Sequence, residues 1–198
     1  RRFYEDTLEI FPDSARWLNK AGAFAVMTEE YDKAEQFYRK AFDTRDKLYN
    51  EQNKKEQIED VLCVTAFDGY LNAMLIGAGS PNTSNWDPQK INKLIEECGK
   101  YENSSLAPIA YLQMAQAKSV LGEKEKALEY CRIAVDKAGM NETLASDALR
   151  KMYLLFGADE VSKYCEQKLK QNPDSLAAIF AMFDLLRING QYDKAIEY

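Results

Sequence analysis

A ladder of small and apolar residues that returns at steps of 34 positions in the second half of the chain constrains it more than any other feature. Ala34, Tyr38 and Ala41 are spaced four and three apart, on one face of a helix. Ala127, Cys131 and Ala134 repeat the set. Val161 and Cys165 repeat its first two members, and Ala195 begins it again. From Ala127 to Val161 is 34 positions (161 − 127), and from Val161 to Ala195 is 34 again (195 − 161). A second ladder precedes each of these. It runs Leu18, Ala21, Gly22 and Ala25, then Tyr111, Met114, Ala115 and Lys118. It returns as Ala145, Ala148, Leu149 and Met152, and last as Ile179, Met182, Phe183 and Leu186. Each unit is thus a pair of amphipathic helices joined by a short turn. The small residues let two backbones approach, and the large ones fill the space between successive pairs.

A helix–turn–helix period of about 34 resembles the tetratricopeptide repeat (TPR) family, and the resemblance covers most of the chain. The turns at Leu121–Ala127 (LGEKEKA) and Asn189–Ala195 (NGQYDKA) are close to the family's own. Pro12 and Pro173 follow second helices, where proline stops continuation. No unit has tryptophan at the first ladder position, and Leu149 and Phe183 replace the family's small residue. The resemblance implies an all-α fold, a right-handed α-solenoid of antiparallel helical hairpins, occupying residues 1–198 as one domain.

The expected divisions follow the ladder. Residues 1–12 end a preceding repeat, and 15–49 form the first whole one. Within it, helices are expected over Ala15–Met27 and from about Asp32, with Ser14 capping the first and Asp32 and Glu35 forming a capping box for the second. Phe42, Arg45, Leu48 and Tyr49 prolong the second helix face. A polar break at Asn50–Lys55 and a long apolar helix from about Glu56 to Ile76 then make an elongated hairpin around residues 43–80. Residues 55–103 are the irregular, extended repeat, with Asp87-Pro88 starting a helix whose ladder is Ile91, Ile95 and Cys98. Repeats at 106–139 and 142–173 follow, and 175–198 is a truncated one. The chain reads as a fragment of a longer array.

Composition narrows the function. Hydrophobic residues make up 46% of 198, enough for a substantial core. The net charge is −6, with lysines and arginines interleaved with acids, which argues against nucleic acid. No apolar run is long enough for a membrane span. Histidine is absent, removing the commonest general base and zinc ligand. The four cysteines, Cys63, Cys98, Cys131 and Cys165, form no Cys-x-x-Cys pair and are expected as small buried hydrophobes in a reducing, cytoplasmic setting. Glu29-Glu30 and Glu96-Glu97 are assigned to turns and polar faces. Gly77–Ser80 lacks the lysine of a phosphate loop. Glycosylation triplets begin at Asn82, Asn103 and Asn141 and matter only in an exported protein. No catalytic residue, metal or cofactor is expected.

The resemblance places a binding groove on the first helices. Carried over by repeat position, its lining is Asn19 and Lys20, then Gln113 and Gln116, then Asp147, Arg150 and Tyr153, and finally Phe180, Asp184 and Arg187. The lysine and asparagine clamp with which some TPR proteins hold a chaperone's terminal carboxylate has no match here. The expected function is a non-enzymatic scaffold or adaptor taking a protein or peptide in this groove. The alternative is a supporting or self-assembling array, a homo-oligomer included, within a larger enzyme or regulator. A small-molecule sensor is a third alternative.

Overall fold

The computed structural model describes residues 2–51, 60–80, 85–139 and 141–197. Every element they form is a helix, apart from one pair of two-residue strands. Part of the polar break at 50–55 and the triplet at Asn82 lie outside the described residues. The chain divides into two compact units, Arg1–Leu106 and Ala107–Tyr198.

The first unit holds α1 (Arg2–Ile10), α2 (Ala15–Met27), α3 (Tyr31–Glu51), α4 (Val61–Gly77) and α5 (Pro88–Gly99). Strands β1 (Gly79–Ser80) and β2 (Asn85–Trp86) pair antiparallel between α4 and α5. As expected, α3 runs on to Glu51 beyond Ala41, and α4 packs along both α3 and α2. Two starts and one cap bond differ from the expected ones. Helix α3 begins at Tyr31, because the Glu30 carbonyl already accepts from Lys33 N and Ala34 N; Asp32 is inside the first turn. Helix α4 begins at Val61 rather than near Glu56. There the Asp60 carboxylate caps Leu62 N at 2.8 Å and Cys63 N at 3.1 Å. Ser14 occupies the cap position of α2 without a side-chain cap bond. The start of α5 is as read, with Asp87 accepting from Gln89 N and Lys90 N. On α5 the buried ladder is Ile91, Leu94 and Cys98, with Ile95 only half-buried.

The core of this unit is organised on Tyr38. Its ring is wedged between two helices at points where neither carries a side chain. A Cβ on Gly22 of α2 would lie 2.8 Å from the ring, and one on Gly69 of α4 would lie 2.5 Å from it. Phe42, Phe67 and Tyr101 form an aromatic cluster below, with centroids 4.6–5.7 Å apart. Glu97, expected on a polar face, is instead buried. It is tolerable there because Arg39 Nη1 donates to it at 2.6 Å and Lys100 pairs with it. Arg39 also donates to Tyr70 and Asp43, so one guanidinium joins α3, α4 and α5.

The second unit holds α6 (Ala107–Val120), α7 (Lys124–Ala138), α8 (Glu142–Phe156), α9 (Ala158–Gln171), α10 (Leu176–Ile188) and α11 (Tyr192–Ala195). Its second helices start at 124, 158 and 192, and α8 and α10 start at 142 and 176, so the 34-residue period is kept by the backbone. Consecutive helices pack together, and so do first helices with one another, α6 with α8 and α8 with α10. Ala127, Cys131, Ala134, Val161, Cys165 and Ala195 are all buried.

The turns repeat as closely as the helices. After α2, α6 and α10, one residue with positive φ (Glu29 at 60°, Gly122 at 78°, Gly190 at 71°) closes the helix. The next amide then reaches back five residues to a carbonyl: Glu30 N to Ala25 O, Glu123 N to Lys118 O and Gln191 N to Leu186 O, at 2.8–2.9 Å. This is the Schellman closure. The α8–α9 turn departs from it. Helix α8 gains two residues, and Gly157 alone (φ 87°, ψ 179°) links the helices.

Candidate functional site

Five of the ten residues expected to line a groove come together between α8 and α10. Asp147, Arg150 and Tyr153 of α8 face Phe180 and Asp184 of α10 across a cleft of about 440 Å³. Arg187, a sixth expected residue, does not line the cleft but donates to Asp184 at 3.1 Å, and Arg150 is 3.4 Å from Asp147. The floor is apolar: Leu149, Val161, Ala177 and Leu185 are buried beneath it. Leu154 and Ile188 close one end and are 65% and 61% exposed, while Phe180 is 56% exposed. Large side chains this open to water cost free energy unless something covers them.

The other four are elsewhere. Asn19 is buried; its amide donates to Leu62 O at 3.1 Å, tying α2 to α4, and its carbonyl oxygen has no hydrogen-bond partner. Lys20 lies over the Trp17 ring of its own helix, 4.7 Å from the centroid. Gln113 is buried and accepts from Gln116 at 3.2 Å, and Gln116 accepts from Lys151 Nζ at 3.1 Å. That relay joins α6 to α8 and is internal structure. Asn19 and Gln113 are buried because their helices meet the next first helix on that side.

Of the large exposed apolar members of the cleft, Tyr153 and Phe180 were expected, and Leu154 and Ile188 were not. Leu154 and Ile188 are 34 apart, so the period did mark them as equivalent. Their exposure was not legible, because a leucine at helical spacing is usually core.

The charged side chains that line the cleft are Asp147, Arg150 and Asp184. Burial pushes the Cys63, Cys131 and Cys165 thiols up to about 12 and Cys98 higher still, so all four are held as neutral thiols. Among the described residues no group of three or more histidine, cysteine, aspartate or glutamate side chains is placed to hold a metal ion, and no helix is long and apolar enough to cross a membrane.

Compared with known proteins, the chain matches no family model and none of the curated proteins.

Proposed function

We propose that the chain is a non-enzymatic protein-interaction scaffold, a right-handed solenoid of TPR-like hairpins that takes a segment of a partner protein in the α8–α10 cleft. The observation that carries this is the cleft itself, with large exposed apolar side chains around a buried apolar floor and Asp147, Arg150 and Asp184 on its walls. The 34-residue recurrence of helix starts and the packing of first helix on first helix support the solenoid.

The test is selection from a displayed library of random twelve-residue peptides, followed by titration of the selected peptides against the parent and a Phe180→Ala/Ile188→Ala variant. Truncating an aromatic anchor and its apolar neighbour should weaken binding about tenfold or more. The helical circular dichroism should not change, since both side chains are exposed. Failure to enrich any peptide, or equal binding by parent and variant, overturns the proposal.

A further inference from the structure

The first hairpin and the helix before it enclose a cavity of about 150 Å³, remote in the chain from the α8–α10 cleft. Tyr4 and Leu8 of α1, Ala21, Phe24 and Ala25 of α2, and Phe37 of α3 form its apolar lining. Helical spacing puts them there: four apart on α1, and three and one apart on α2, on one face in each case. The Tyr4 and Phe24 rings meet with centroids 5.3 Å apart.

The space exists because of two alanines. At the ladder positions of Ala21 and Ala25, the later hairpins carry Met114 and Lys118, Ala148 and Met152, and Met182 and Leu186. Each of those pairs has at least one long side chain, and the first hairpin has none. Ala21 and Ala25 are each 3% exposed and form the floor. Unfilled volume over a buried floor forfeits packing contacts. A cavity of this size admits a benzene-sized group.

Two charged side chains also line the cavity, Glu30 and Lys33, 27% and 48% exposed. They pair with each other, and the Thr28 hydroxyl donates to the Glu30 carboxylate at 3.2 Å. The turn fixes Glu30, whose N–H reaches Ala25 O of the floor at 2.8 Å. Lys33 and Phe37 follow three and seven positions later, on the same helix face. A carboxylate and an ammonium therefore stand side by side at the wetter edge of an aromatic and aliphatic interior.

We propose that this cavity binds a free α-amino acid with a single-ring or branched apolar side chain. That side chain fills the space over Ala21 and Ala25, against Tyr4, Phe24 and Phe37. The ligand's ammonium meets Glu30, and its carboxylate meets Lys33. An exposed i,i+3 pair opens to a second pair of charges at little cost, and each charge then keeps a partner of opposite sign. A lone cation faces Lys33 and a lone anion faces Glu30. A charged side chain loses its water against three aromatic rings.

The test is nuclear magnetic resonance titration of methyl-labelled protein, followed at the Leu8, Ala21 and Ala25 methyls. The ligands are L-phenylalanine, L-leucine, L-lysine, L-glutamate, phenylethylamine and phenylpropionate. L-Phenylalanine and L-leucine should give saturable shifts, and the two charged amino acids none. Each one-charge phenyl compound should bind about threefold to tenfold more weakly than L-phenylalanine. Lys33→Glu should reverse that order and make phenylethylamine the tightest ligand. Ala21→Met, which installs the residue found at the equivalent positions 114 and 182, should abolish binding while the helical circular dichroism is kept. No saturable shift, shifts from L-lysine or L-glutamate equal to those from L-phenylalanine, or unchanged binding by Ala21→Met overturns the site. Equal affinity of all three phenyl compounds overturns an amino acid as its ligand.

Discussion

Tyr38 shows how a single position governs its surroundings. Its ring fits only because Gly22 and Gly69 leave room, and each is within a helix, where glycine is intrinsically unfavourable by about 1 kcal/mol relative to alanine. Gly69→Ala should therefore destabilise by about 1–3 kcal/mol despite better helix propensity, because the ring must leave its position. Urea unfolding checks this, and in a Tyr38→Leu background most of the penalty should vanish. The same position explains a departure from the repeat pattern. Where the second helix carries Tyr38, the first carries Gly22. Where it carries Cys131 or Cys165, the first carries Ala115 or Leu149. Tyr38 with Gly22 and Leu149 with Cys165 each set a large residue against a smaller one, whereas Cys131 with Ala115 sets two small residues together, so the compensation holds in two of the three hairpins. Pairing the two ladders would have shown this in the sequence; taking each alone did not.

At the scale of elements, α5 is held by both oil and charge. Ile91, Leu94 and Cys98 are buried, and beside them Glu97 meets Arg39 and Lys100. Burial pushes the Glu97 carboxyl up, but hydrogen bonds from Lys100 and Arg39 outweigh it and hold the group below the usual glutamate range. Asp60 behaves alike: burial raises it, while Arg45 and the amides of Cys63 and Leu62 bring it below its ordinary value. A carboxyl held lower when folded than when unfolded adds stability that is full above the unfolded value and is lost as pH falls through the folded one. The stability of residues 2–106 should thus decline as pH drops below about 4.5, the ordinary glutamate value. Glu97→Gln should cost about 1–3 kcal/mol at neutral pH and flatten that decline. Chemical denaturation of the parent and variant at several pH values measures both effects. The helix boundaries were largely legible, because capping aspartates and turn glycines act locally. Glu97 was not, since its partner Arg39 is 58 residues away in the chain.

For the molecule as a whole, periodicity carried the most information. The recurrence of helix starts over residues 107–197 was visible in the ladder, because every unit must present the same face to its neighbours. Ala127→Asp tests that register. It places a carboxylate with no partner where Ala127 is fully buried, and should cost about 3 kcal/mol or more, read as a large fall in melting temperature. A variant melting like the parent would break the assigned register. The site was half legible: the charged walls followed from repeat position, but the open apolar floor depends on how far α8 and α10 stand apart, which spacing along a chain does not encode.

The α8–α9 link has a consequence for recognition. Gly157 occupies a backbone conformation open to glycine alone, and it joins the two helices without a spare residue. Helix α8 therefore has no slack along its axis, and α9 contributes Val161 to the cleft floor directly behind it. The wall bearing Asp147, Arg150 and Tyr153 is on a helix packed against α6, α7, α9 and α10. For the partner segment proposed above, the entropy lost on binding would fall mainly on the guest.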